Sequence, residues 1–191
     1  ALEQAKINPA DVQILNMRPP EVRAAWQRGD IDATFIWDPV LAEAKKDGTV
    51  ILTSGKISAD TGKATFDGYV VNRDWAKANK DFMVKFVKVL AAADDNYRKN
   101  KAKFGKDSAE AKAIAKWSGA KQEDVADSMA LYAFPTAQEQ ATKWLGGGKD
   151  SIAAKALAAT ADFQLSQKQI EKKLPDYSTA VNPSYVQEAM K

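Results

Sequence analysis

The spacing of apolar residues changes once along the chain. Up to Val71 they gather in short unbroken runs, and from Asn79 onward they recur every three or four positions. Short runs bounded by turn residues predict strands: Val12–Met17, Ile31–Trp37, the stretch TVILTSG from Thr49, and Phe66 with Tyr69, Val70 and Val71. Helical signals stand between them. Pro19 and Pro20 mark a start, Glu21 falls in the first turn, and Val22, Ala25 and Trp26 make one stripe. Gly29 is placed to end that helix in the left-handed conformation. A second helix is predicted over 38–46, with Asp38 as N-cap and Pro39 as first helical residue, closed by Lys46–Gly48. The opening ALEQAKI reads as the last turns of a helix.

Strands alternating with helices predict an α/β fold with a parallel sheet covered on both faces. Four strands are few for a complete doubly wound sheet, so the chain is expected to be the later part of a two-lobed protein. The expected division is residues 1–58 in βαβ units of one lobe, a polar crossing at 59–65, and 66–191 as a second, mainly helical part. In that part a long helix over 79–96 carries Phe82, Met83, Phe86, Val87, Leu90 and Ala93 on one stripe. Further starts are predicted at Asp107 with Glu110, less cleanly at Ser118 to Glu123, and at Thr136 with Glu139. Gly146–Gly148 breaks the pattern. Helices are then expected at Ile152–Phe163, from Leu165 with Ser166 as cap, and from Ser184.

Composition narrows the chemistry. The chain has neither cysteine nor histidine, which removes disulfides, thiolate nucleophiles and the commonest general base and metal ligand. Neither a metal nor a cofactor is expected, and catalysis starts at a disadvantage. The 28 basic and 25 acidic residues are interspersed, a balance that argues against a nucleic-acid partner. No run is long and apolar enough to cross a bilayer. The lysine-rich stretch from Tyr97 to Asp107 reads as a solvated loop.

One aromatic residue stands out on position alone. Trp37 ends a predicted strand just before a helix start, and in open α/β sheets ligands bind beyond the carboxyl ends of strands. It is either a core tryptophan or one wall of a binding cleft. Asp67, at the head of DGYVV, is either a solvated strand end or a ligand contact. Asp30 and Asp32 flank Ile31, where they can fix the turn into the strand or reach a ligand. Lys63 and Arg73 are the nearest cations; both are explained by solubility. Trp117, Tyr132, Phe134 and Trp144, with Tyr97, are expected to pack between the later helices.

The segment QILNMRPPEVRAAWQRGDIDATFIWDPVLAEAKKDGTVI resembles the sulfonate, nitrate and thiamine-precursor branch of periplasmic binding proteins. AAWQRGDIDA at 24–33 is its core, and the likeness continues through DGYVVNRDWAKANKDFMVKFVKVLAAADDNY and, more loosely, PDYSTAVNPSYVQEA. The resemblance implies the type 2 bilobed fold, with the N-terminal part of lobe one missing from this chain. It implies a non-catalytic, monomeric, periplasmic capture component of an ABC importer, exported by a signal peptide in its precursor and delivering solute to a membrane permease. The implied ligand is a small zwitterionic or anionic sulfonate, taurine foremost; another alkanesulfonate, nitrate or a thiamine precursor is the alternative. Trp37 then packs on the ligand's methylenes. Asp67, in TFD, falls on the carboxylate that meets the ammonium, and Asp32 and Asp38 are weaker ligand candidates. Relatives commonly carry a small residue where this chain has Asp38, which puts a negative charge near an anion pocket. Two rival classes are an enzyme of pyrimidine-precursor synthesis, expected to need histidine, and a sensor domain on the same scaffold.

Overall fold

The computed structural model describes residues 1–63 and 65–191; Ala64, inside the expected crossing at 59–65, lies outside the described residues. The chain forms two compact units. Unit 1 comprises Ala1–Thr53 and Asn100–Ala133, and unit 2 comprises Ser54–Lys99 and Phe134–Lys191.

In unit 1, helix α1 (Pro19–Arg28) begins where two prolines preset the helical φ. The Glu21 carboxylate accepts the backbone N–H of Arg18 at 2.8 Å and pairs with its guanidinium at 2.6 Å. Gly29 ends the helix at φ +72°, as its sequence position predicts. The apolar face of α1 packs on α2 (Val40–Ala44), and Val22, Ile36 and Val40 form the core there, flanked by Met17, Ile31 and Leu41. Trp26 donates its indole N–H to Asp47 at 2.8 Å. Its ring occupies the space next to Gly48, where any Cβ would stand 2.8 Å from the ring. Glycine is required there by close approach. Unit 1 resumes at Asn100 and includes α6 (Ala109–Ser118) and α7 (Val125–Ala130), which bury Ala111 and Val125.

Unit 2 holds α3 (Ser54–Thr61), α4 (Arg73–Ala78) and the long α5 (Lys80–Asn100). After these come α8 (Ala137–Glu139), which runs into a π-helical turn Gln140–Trp144, then α9 (Ile152–Ser166) and α10 (Ser184–Ala189). Ala153, Ala154, Ala156 and Ala161 give α9 a buried small-residue face. Ser151, 1% exposed, caps it by accepting the Ala154 N–H at 3.2 Å. Thr136 and Glu139 form the capping box that their spacing predicts.

Several expectations are corrected. The four predicted strands do not form: no β-strand is present among the described residues. Helical hydrogen bonds close within a segment, whereas a strand needs a neighbour at distance in sequence, and an apolar run reveals only the affinity for one. The runs are correspondingly open to solvent, Ile51 at 88% and Val70 at 97%. Asp38 is not an N-cap. The Asp38–Pro39 peptide is cis, Pro39 takes the cap position, and the Leu41 N–H that a cap could satisfy is bonded to the Trp37 carbonyl at 3.0 Å. The α6 cap is Ser108, not Asp107; its side chain accepts the Ala111 N–H at 3.0 Å. No helix starts at Ser166, because α9 continues through it and its hydroxyl donates back to the Phe163 carbonyl at 2.7 Å. Residues 1–7 make turns instead of a helix end. The polar stretch after Ser54 is helical to Thr61, braced by Lys56 and Asp60 at 2.6 Å. Trp117 does not pack between helices: it is exposed, with the Lys116 ammonium 5.5 Å from its ring centre.

Candidate ligand-contact residues

The IDATFIW segment reaches α2 through a turn at Asp38 and Pro39. Ile36 and Val40 point into the core on either side of that turn, which leaves Trp37 outward. Trp37 is 56% exposed, and its indole N–H has no partner among the described residues. Trp26, eleven positions earlier, is committed on both counts, to Asp47 and to Gly48. An aromatic face left open beside a fixed turn offers rigid apolar area with few rotamers to order.

Asp30 is taken by Arg28, which donates from its Nε at 2.7 Å. Asp32 is exposed and carries no ion pair or hydrogen bond among the described residues. Asp38 is half-buried, with Oδ1 enclosed and unpartnered among the described residues. It lines a polar cavity of about 200 Å³ with Ala42, Lys45, Lys46, Asp124, Asp127 and Ser128. Sequence reasoning missed that cavity. Its second wall comes from residues more than eighty positions away, and no local pattern joins them to Asp38.

Asp67 belongs to unit 2. Its neighbours are anchored by aromatic contacts: Phe66 meets Trp144 edge-on at 6.2 Å between ring centres, and Tyr69 meets Phe86 at 5.3 Å. The carboxylate itself is exposed and has no hydrogen-bond or ion-pair partner among the described residues. A carboxylate held between anchored aromatic residues and left unpaired is chemically able to meet an ammonium. Arg73 donates to the Thr179 carbonyl at 3.3 Å, which gives it a structural role in unit 2. Trp37, Asp38 and Asp32 thus lie along one segment of unit 1, and Asp67 lies in unit 2.

Among the described residues, no group of three or more carboxylates is placed to hold a metal ion, and no helix is long and apolar enough to cross a membrane.

Comparison with known proteins gives the class. Residues 1–117 match the model of the NMT1-like family, and the chain belongs to that family. Over 187 residues it is 32% identical to the taurine-binding periplasmic protein of Escherichia coli K12, covering 98% of this chain and 57% of that protein. It is 29% identical over 183 residues to a putative aliphatic sulfonates-binding protein of Bacillus subtilis 168, covering 94% of this chain and 48% of the relative. A putative aliphatic sulfonates-binding protein of Escherichia coli K12 is 34% identical over 95 residues, 49% of this chain and 28% of the relative. The chain spans about half the length of the two relatives that it matches from end to end.

Proposed function

We propose that the protein is the extracytoplasmic solute-binding component of an ABC importer for taurine, a non-catalytic capture protein of the bilobed type 2 class. The observation that carries this reading is the match to a taurine-binding periplasmic protein over 98% of the chain. Residue chemistry supports it. Taurine is a zwitterion with two methylenes between its charges, so a site for it needs apolar area, an anion for the ammonium and donors for the sulfonate. Trp37 offers the first and Asp67 the second. The sulfonate needs no cationic side chain, because backbone N–H groups at helix starts hold such anions. Asp32 and Asp38 are secondary contacts in this reading. The monomer works in the periplasm and hands its solute to a membrane permease.

A second reading, another alkanesulfonate as ligand, is favoured by the two relatives named for aliphatic sulfonates. Calorimetric titration separates the two. The wild type should bind taurine more tightly than ethanesulfonate, which lacks the ammonium. Asp67→Asn should weaken taurine by about 2 to 5 kcal/mol, the cost of truncating one partner of a desolvated charge pair, and ethanesulfonate far less. A wild type that prefers ethanesulfonate overturns taurine. Equal losses for both ligands overturn the role of Asp67.

A further inference from the structure

The chain leaves unit 2 after Lys99 and returns to it at Phe134. On the outgoing side α5 is helical through Asn100; on the returning side residues 132–136 have no regular structure before α8. Within unit 2 the two sides are cross-linked. Arg98, with a side chain only 22% exposed, donates from one terminal nitrogen to the carbonyls of Phe134 at 3.0 Å and Pro135 at 3.2 Å. Its other terminal nitrogen pairs with Asp95 at 2.5 Å. Gln140 reaches back from the π-helical turn to the same Pro135 carbonyl at 3.0 Å and to Asp94 on α5 at 3.4 Å. Tyr97, 4% exposed, meets Phe134 edge-on at 4.8 Å between ring centres.

We propose that Arg98 is a staple that makes the outgoing and returning chains of segment 100–133 a single mechanical connection to unit 2. Two carbonyls in an irregular stretch have no ladder to satisfy them, and a planar guanidinium supplies fixed donors to both while its remaining edge stays on the helix. A lysine at this position keeps the charge opposite Asp95 but loses the fork. With the staple in place, the returning chain is tied to α5 one residue before the chain leaves unit 2. The inference does not depend on which solute is bound.

Hydrogen exchange on the wild type, Arg98→Met, Arg98→Lys and Asp95→Asn tests it. In R98M the amides of 136–141 and of 101–104 should exchange about tenfold faster, the effect of losing charge-assisted hydrogen bonds from a locally opening segment. The amides of 154–161 in α9 should keep their wild-type rates. R98K should behave as R98M, and D95N, which leaves the donors to Phe134 and Pro135 in place, should behave as wild type. Acceleration of α9 in step with 136–141 would show general destabilisation and overturn the staple. Unchanged exchange in R98M, or wild-type rates in R98K, would overturn it as well. If R98M does not fold, the contrast between R98K and D95N decides the matter alone.

Discussion

Trp26 and Trp37 show how one residue type divides between structure and function within a short span. Trp26 has its N–H on Asp47 and its ring against Gly48, so its replacement takes away packing and a hydrogen bond together. Trp37 has neither commitment among the described residues and is more than half exposed. Removing it from the free protein should therefore change stability by no more than about 0.5 kcal/mol, the usual range for exposed positions. Removing it from the complex strips an aromatic anchor, so Trp37→Ala should weaken taurine binding by about 1 to 3 kcal/mol. Calorimetry beside thermal melts measures both. Unchanged affinity in a folded variant would take Trp37 out of the site. The sequence made Trp37 conspicuous through its place between an apolar run and a proline. It could not show which way the ring points; that depends on Ile36 and Val40 filling the core from both sides.

Among elements, legibility follows the range of the hydrogen bonds. Pro19 and Pro20, Gly29, and the pair Thr136 and Glu139 are read correctly because caps and turn residues act within four positions of themselves. The predicted strands were not recovered because ladder partners are non-local, and their apolar residues stay exposed: Ile14, Val50, Tyr69 and Val70 are examples. Helix α3 was hidden for the opposite reason, since its polar sequence carries no stripe. The break at Gly146–Gly148 was foreseen, but its cause is visible only in space. A Cβ on Gly146 would stand 2.1 Å from the Ala141 carbonyl oxygen, against backbone that cannot swing aside. Gly146→Ala must therefore unwind the end of the π-helical turn, on which α10 packs. The expected loss is about 1 to 3 kcal/mol, the cost typical of overpacking. A denaturant midpoint equal to wild type would show that the turn relaxes freely.

At the scale of the whole molecule, the fold holds several carboxylates below their ordinary range. Glu21 is lowered by its hydrogen bond with Arg18, Asp95 by Lys99 and Arg98, Glu139 by the Thr136 N–H, Asp176 by Ser178, and Glu188 by Lys80. Each contributes stability that is present above its unfolded value and is lost as pH falls through its lowered folded value. Asp94 has the opposite sign. Burial against the returning chain raises it, against the smaller pull of Arg98 and the hydrogen bond from Gln140. Its contribution is present below the unfolded value and is lost as pH rises through the raised one. The wild type should therefore lose stability on acidification, and Asp94 should soften that loss. Asp94→Asn keeps the shape and an acceptor for Gln140 without the charge, so it removes the softening. Relative to wild type, the variant's thermal midpoint should stand higher at about pH 7 than at about pH 3, where the aspartate is already neutral. Melting curves for both proteins across that interval measure the difference. A difference that does not change with pH would mean that Asp94 titrates alike in the folded and unfolded chains, and the assigned sign would be wrong.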